Sequence, residues 1–587
     1  MKKLKYLLFI LLFIPSKIYA YDKAVVDINN LSIKELQEYV DKGYLTYEKI
    51  TKLYLDRIEA YNEKYNAIIT INENALEEAR QKDIEYKKNG RTSLIYGLPL
   101  MVKDNIDVKG MPTTNGTKAL LDSYPNEDAD VVKKLRENGA IFLGKTNMDE
   151  FAFNYMYSHS SFGYTTNAYN TLYTSYGSSG GSAVSVAANL AVYALGSDTG
   201  VSVRVPSSAN GVVGIRPSFD IMSGKGVIKF ESTRDVVGVI TKYVEDSAIV
   251  LDIIDNEETK YTDYLTDNLK GIKIGVVRSY VSTTTSNTST TYGKVDKSVY
   301  ELFNQSINKL KELGAEVVYI DSLPLSYKFD ATNMCYEFNQ YIQNTNSKIK
   351  SLNDLIKDGR YTQWIDSYNN YWCNIDYTKT SSYKSYINHR NSNIKKAENV
   401  FNNNKLDAII YPTIKNELLT LQSAKNGYRT YTPSSMTAPL TGYPALTLPM
   451  GKIKEFSYGL EIFTKSKNEP VIYKIASSFE KVNKVYKTPD ISPSLYEIPS
   501  DVTKLLNYYD EYKNNSNYEL ANKRMQEFID TYDENKIKIR DLLIKYEYPY
   551  IKNKESKNRI IYIIPIVIII LFIPILKKKK HKRKRTR

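Results

Sequence analysis

The chain has 587 residues, 42% of them hydrophobic and 25% charged, with a formal net charge of +14. That length and apolar content support at least one large buried core and exclude a peptide or a disordered regulator. Four of the positive charges fall within residues 1–20 and nine within 577–587, which leaves +1 on the body and excludes a nucleic-acid-binding surface there.

Residues 1–20 read as a signal peptide: a basic start, an apolar run from Leu7 to Ile14, and Ala20 at the cleavage position. From Leu31 to about Lys88 the pattern is helical, with Ser32 as N-cap ahead of Glu35 and a break at Gly43. Tyr96 to Lys103 reads as a buried strand ending at a lysine, Asp128 to Asn138 as a helix, and Ala140 to Gly144 as the next strand. Helices and strands that alternate in this way predict an α/β fold with a large, mixed but mostly parallel sheet covered by helices on both faces.

Residues 174–218 are dense in Gly and Ser, yet Ala183 to Leu195 is apolar, so the small residues serve close backbone packing inside the core. Strands are expected over Ile272–Val277, Ala315–Ile320, Leu406–Pro412 and Tyr443–Pro449, with a helix over Val299–Leu313. The Tyr- and Asn-rich stretch 324–400 reads as helices and loops. Cys335 and Cys373 provide no disulfide framework; they could pair, but they are read first as small buried residues.

After Lys487 the composition turns charged, and Met525, Phe528, Ile529 and Tyr532 keep helical spacing. Residues 488–558 therefore read as a helical stalk or side domain. Residues 559–576 follow as a transmembrane helix, with an uncharged run from Ile560 to Leu576 about 25 Å long. The basic tail 577–587 places that end in the cytoplasm and the body, residues 21–487, outside. The expected location is the cell membrane, single-pass, with the body extracytoplasmic.

The body has two histidines, His159 and His389, too few for most zinc hydrolases and unfavourable for a Ser-His-Asp triad. A hydrolase built on this chain needs another base, and a lysine serves when burial keeps its amine neutral. No metal and no cofactor are expected.

Several ordered segments then resemble the amidase signature family. They are Gly97–Asp107, Gly144–Phe151, Tyr176–Ser182, Gly196–Pro206, Gly211–Pro217 and Leu440–Ala445, with 24 residues from Ser178 to Ser202. The resemblance implies a Ser-Ser-Lys triad: Ser202 as nucleophile, Ser178 after a cis peptide bond from Gly177, and Lys103 as ultimate base. It also implies an oxyanion hole from the backbone amides of Thr199, Gly200, Val201 and Ser202. Asp198 and Arg204 are read as a structural pair, and Ser179 and Ser182 as makers of supporting hydrogen bonds.

The function so implied is hydrolysis of a linear carboxamide through an acyl-enzyme, with a small-molecule amide as substrate, the membrane as partner and no assigned oligomeric state. A glutaminase subunit of the tRNA-dependent amidotransferase is the alternative within the family. A catalytically impaired cell-surface binding protein is the alternative outside it. Val201 motivates that last reading: it stands where the family usually has Gly, and positive φ there would strain a β-branched residue. Tyr176 likewise stands where Gly is common.

Overall fold

Ser32 begins the first helix through a reciprocal cap, its hydroxyl accepting from the Glu35 amide while the Glu35 carboxylate accepts from the Ser32 amide. The computed structural model describes residues 28–284, 294–328, 334–362, 365, 373, 375–428 and 434–495. The expected signal peptide, most of the stalk, the spanning helix and the basic tail lie outside these residues. Residues 28–493 form one compact unit.

The helical pattern between Leu31 and Lys88 resolves into three helices, Ile33–Asp41, Tyr47–Tyr65 and Ala75–Asn89, with a strand, β1 (Ile68–Ile71), between the last two. Asn66 stops the second helix by taking a left-handed conformation, φ +49°, as its C-cap. Four residues are too few for a strand period to show in sequence.

The other strands are β2 (Pro99–Lys103), β3 (Ile141–Thr146), β4 (Ser158–Ser160), β5 (Gly163–Thr165), β6 (Tyr193–Asp198), β7 (Val213–Arg216), β8 (Val236–Thr241), β9 (Lys273–Val277), β10 (Glu316–Ile320), β11 (Ala408–Pro412), β12 (Ala445–Ile453) and β13 (Phe456–Phe463). β4 and β5 form a small hairpin. The rest make one sheet of 11 strands in the order β1-β3-β2-β6-β8-β7-β12-β13-β11-β9-β10.

The sheet is mixed but not mostly parallel, which corrects the expectation. β3, β2 and β6 run parallel, as do β11, β9 and β10, while every pairing from β6 through β8, β7, β12 and β13 to β11 is antiparallel, as is β1 with β3. The cause of the misreading is physical. β8 and β11 are buried at every position, and such strands show the same near-continuous apolar run whichever way they point.

The Gly/Ser-rich stretch does pack backbone closely. Helix Gly180–Ala187 is buried at every residue, and a Cβ on Gly181 would lie 2.3 Å from the Asn147 carbonyl oxygen and 2.4 Å from that of Ala67. Helix Arg204–Ala209 is also wholly buried. The first of these helices packs on β2 and β6, and the second on β7, β12 and β13.

Cys335 and Cys373 are bonded to each other, with Cα atoms 4.8 Å apart, which overturns their reading as unpaired core residues. Helices Met334–Ile342 and Leu352–Asp358 fold back so that both cysteines enter one apolar cluster with Phe151, Phe230, Phe338 and Leu352. A separation of 38 residues gave no sequence signal for that approach.

Candidate active site

Lys103 is the last residue of β2 and has no exposed surface. β2 pairs in parallel with β6, with Val102 opposite Leu195, so Lys103 lies beside the last residues of β6, Ser197 and Asp198, after which the chain leads to Ser202. Ser178 lies two residues before helix Gly180–Ala187, and Ser202 two before helix Arg204–Ala209. One strand end and two helix entrances therefore converge, and the backbones of the two serine segments are joined directly, the Ser179 amide donating to the Ser202 carbonyl at 3.1 Å.

The Lys103 Nζ lies 2.7 Å from Ser178 Oγ, 2.8 Å from Ser197 Oγ and 3.3 Å from the Ser197 carbonyl oxygen. Burial lowers its pKa to about 7, against the opposing pull of Asp235, Asp198 and Asp149. Near neutral pH a large share of the amine is thus uncharged, with a lone pair available to a serine proton. Asn105 Nδ2 donates to Ser197 Oγ at 3.1 Å and to the Ile228 carbonyl at 3.1 Å, which holds Ser197 against the lysine. The peptide bond between Gly177 and Ser178 is cis.

The turn 199–202 carries four amides that donate no hydrogen bond to any described residue. It is braced from behind. Arg204 Nη2 donates to the Gly200 carbonyl at 2.6 Å, and the Val203 amide donates to Asp198 at 3.1 Å. Arg204 also pairs with Asp198 at 3.2 Å and with Glu461, and Arg216 joins Asp198 at 3.1 Å. Burial pushes the Asp198 carboxyl up, but the two guanidiniums hold it below its ordinary value. Asp198 and Arg204 thus form the expected brace, extended by two partners that sequence reading missed. Ser179 and Ser182 make supporting hydrogen bonds, to the Ser197 carbonyl at 3.2 Å and the Leu195 carbonyl at 3.0 Å.

Val201 does not carry positive φ, so its β-branch is not strained there and the motive for an impaired site is removed. The left-handed conformation falls instead on Tyr176, φ +59°, in a buried position where its hydroxyl accepts from the Leu419 amide at 3.2 Å. His159 is remote in role: its ring stacks on Tyr164 with centroids 3.9 Å apart. His389 lies against the Ser326 carbonyl oxygen. Among the described residues no group of three His, Cys, Asp or Glu is arranged to hold a metal ion.

Sequence reasoning missed Ser197 as the second partner of Lys103, and Asp235, the acid that acts most on it. It also missed Met436, whose Sδ would be 3.2 Å from a Cβ on Gly200 and which therefore borders the turn. No local pattern marks Asp235 or Met436.

A mixed sheet of 11 strands carrying a buried lysine in contact with a serine, beside a turn of amides without partners among the described residues, has the groups that an acyl-transfer enzyme needs. The chain belongs to the amidase family, whose model matches residues 49–472. It is similar to a glutamyl-tRNA(Gln) amidotransferase subunit from Thermoanaerobacter pseudethanolicus, 32% identical over 506 residues that cover 79% of this chain and 99% of that protein. Its fold resembles the peptide amidase from Stenotrophomonas maltophilia, with a TM-score of 0.68 and 28% identity over 79% of this chain and 99% of that one. An amidase family protein from Bacillus anthracis gives a TM-score of 0.67 at 28% identity, over 79% and 92% of the two chains.

Proposed function

We propose that this chain is an exported, membrane-anchored amidase that hydrolyses the C–N bond of a linear carboxamide through Lys103, Ser178 and Ser202. The observation that carries the reading is the 2.7 Å contact between the buried Lys103 amine and Ser178 Oγ. Ser202 Oγ attacks the substrate carbonyl carbon and gives its proton to Ser178, which passes its own to neutral Lys103. The carbonyl electrons move to oxygen, where the amides of Thr199, Gly200, Val201 and Ser202 receive the charge. The proton returns by the same route to the leaving nitrogen, the C–N bond breaks, and water hydrolyses the acyl-enzyme.

Labelling the protein with a fluorophosphonate and mapping the adduct tests this: the adduct belongs on Ser202, and labelling is lost in Ser202→Ala and strongly slowed in Lys103→Ala. An adduct on another residue sinks the assignment. Peptide amides are the first substrates to assay, since the similarity to the peptide amidase extends over nearly all of that enzyme.

Export rests on the basic and apolar start, the uncharged run 560–576 and the basic end. The Cys335–Cys373 bond supports it, because structural disulfides persist in oxidising compartments. Among the described residues no helix is long and apolar enough to cross a membrane, and the expected span lies outside them. Protease added outside intact cells should cleave the body and spare the tail; full protection would refute export.

The 32% identity to an amidotransferase component favours, as a second reading, a glutaminase that hands on ammonia. Release of ammonia from free glutamine, with no turnover of peptide amides, would establish that reading in place of the first.

A further inference from the structure

A proton arriving on Lys103 makes an ammonium in a place with no exposed surface, and an ammonium has three N–H donors and nothing that accepts. Three oxygens lie within reach of Nζ: Ser178 Oγ at 2.7 Å, Ser197 Oγ at 2.8 Å and the Ser197 carbonyl oxygen at 3.3 Å. The charged lysine is therefore satisfied at all three donors only while Ser197 presents both of its oxygens. The carbonyl is fixed by the pairing of β6 with β8, in which Ser197 lies opposite Val237. The hydroxyl is not, since a serine side chain has three staggered rotamers open to it.

Asn105 fixes it. Its Nδ2 lies 3.1 Å from the Ile228 carbonyl oxygen and 3.1 Å from Ser197 Oγ. A carbonyl oxygen only accepts, so the amide end that faces Ile228 is the NH2 group, and the serine oxygen beside that same group is an acceptor too. The backbone holds the arrangement, because the Ile228 amide donates to the Asn105 carbonyl at 2.8 Å. Ser197 Oγ is thus kept between Asn105 and Nζ. The far end of the same side chain, Oδ1, is buried and has no hydrogen-bond partner among the described residues. An orphaned acceptor destabilises the fold, and an apolar residue of similar size would avoid it, so what this position supplies is the donor.

We propose that Asn105 is a positioning residue for the reaction: by donating to Ser197 Oγ it keeps that oxygen on the Lys103 amine, so that the ammonium formed while Ser202 attacks finds its three acceptors already in place. The proposal rests on the Lys103–Ser178–Ser202 reading. In acylation the Ser202 proton goes to Ser178, the Ser178 proton goes to Nζ, and the bond from Ser202 Oγ to the carbonyl carbon forms. Asn105 neither gives nor takes a proton in that sequence.

The test is the second-order rate of labelling by a fluorophosphonate across pH 5 to 9, in which a P–O bond forms at Ser202 and fluoride leaves. Asn105→Leu keeps the size and removes the donor; Asn105→Ala replaces it if thermal melts show that the first variant does not fold. With Ser197 free to turn away, the ammonium loses an acceptor and the charged form is disfavoured. The acid limb of the profile should then move to lower pH by about one unit, and the plateau should fall about tenfold because the base is weaker. Because Asn105 acts through Ser197, its replacement should add little to the loss already caused by Ser197→Ala. A limb at its wild-type pH, or losses that multiply in the double variant, overturns the proposal and leaves Asn105 a merely structural residue. An adduct outside Ser202, or undiminished labelling in Lys103→Ala, instead overturns the triad reading, and the proposal with it.

Discussion

Breaking the Cys335–Cys373 bond, by reduction or in a Cys335→Ser/Cys373→Ser variant, releases a loop of 38 residues in the unfolded chain. Loop-closure entropy for that length is about 13 cal/mol/K, or about 4 kcal/mol at 25 °C. Spread over the roughly 470 residues of the unit 28–493, whose unfolding entropy is about 1 kcal/mol/K, this predicts a Tm lower by about 4 °C. The bond also sits in the apolar cluster that holds Phe151 and Phe230, so the effect begins there. Both tryptophans of the chain, Trp364 and Trp372, fall inside the closed loop, so their fluorescence reports on it separately from circular dichroism. Thermal melts followed by both signals, with and without reductant, are the assay. A Tm unchanged within about 1 °C, with the bond shown broken by mass spectrometry, would refute the reasoning, since a loop of this length cannot be released without some loss.

Other outcomes follow from the same contacts. Because burial holds Lys103 near pKa 7, the rate should rise with pH through about 7 and level off above it, and Lys103→Ala should lose about 10²–10⁴ in rate and lose that pH limb, both read by steady-state kinetics on an amide. Losses in Ser178→Ala and Ser202→Ala should be far from additive with Lys103→Ala, as a double-variant series will show; simple multiplication of the losses would mean the three do not act as one unit. Burial pushes the Glu480 carboxyl up to about 8, so the native state holds a proton that the unfolded state releases near its ordinary pKa of 4.5. That contribution is complete below about 4.5 and is lost as pH rises to about 8, so Tm should fall over this window, and less so in Glu480→Gln, which keeps an acceptor for the Val244 amide. Arg204→Ala leaves Glu461 without its cation and Asp198 with Arg216 alone, and should cost about 3–5 kcal/mol in denaturant unfolding; a loss below about 1 kcal/mol would show that the brace is dispensable.

The parts of the fold legible in sequence were those with a local cause. The cap at Ser32 is written in the four residues from Ser32 to Glu35, and the strand ending at Lys103 in the apolar run before it. Strand direction was not legible at Val236–Thr241, which is buried on both faces and loses the alternation that would mark an antiparallel strand. The site divides in the same way. Lys103, Ser178 and Ser202 each belong to a short motif. Glu461 and Met436 reach the turn from distant stretches, and only the assembled backbone brings them there. The Cys335–Cys373 pairing was hidden for the same reason.

The two ends of the unit 28–493 also meet. Thr488 donates its hydroxyl hydrogen to the Asn30 side chain at 2.8 Å, and Arg57 clasps the Ser492 and Pro493 carbonyls at 2.8 Å each while gripping those of Ala188 and Asn189. The first and last stretches of the unit are therefore tied to each other and to the turn at Ala188 and Asn189 before β6, so trimming either end removes a partner of the other.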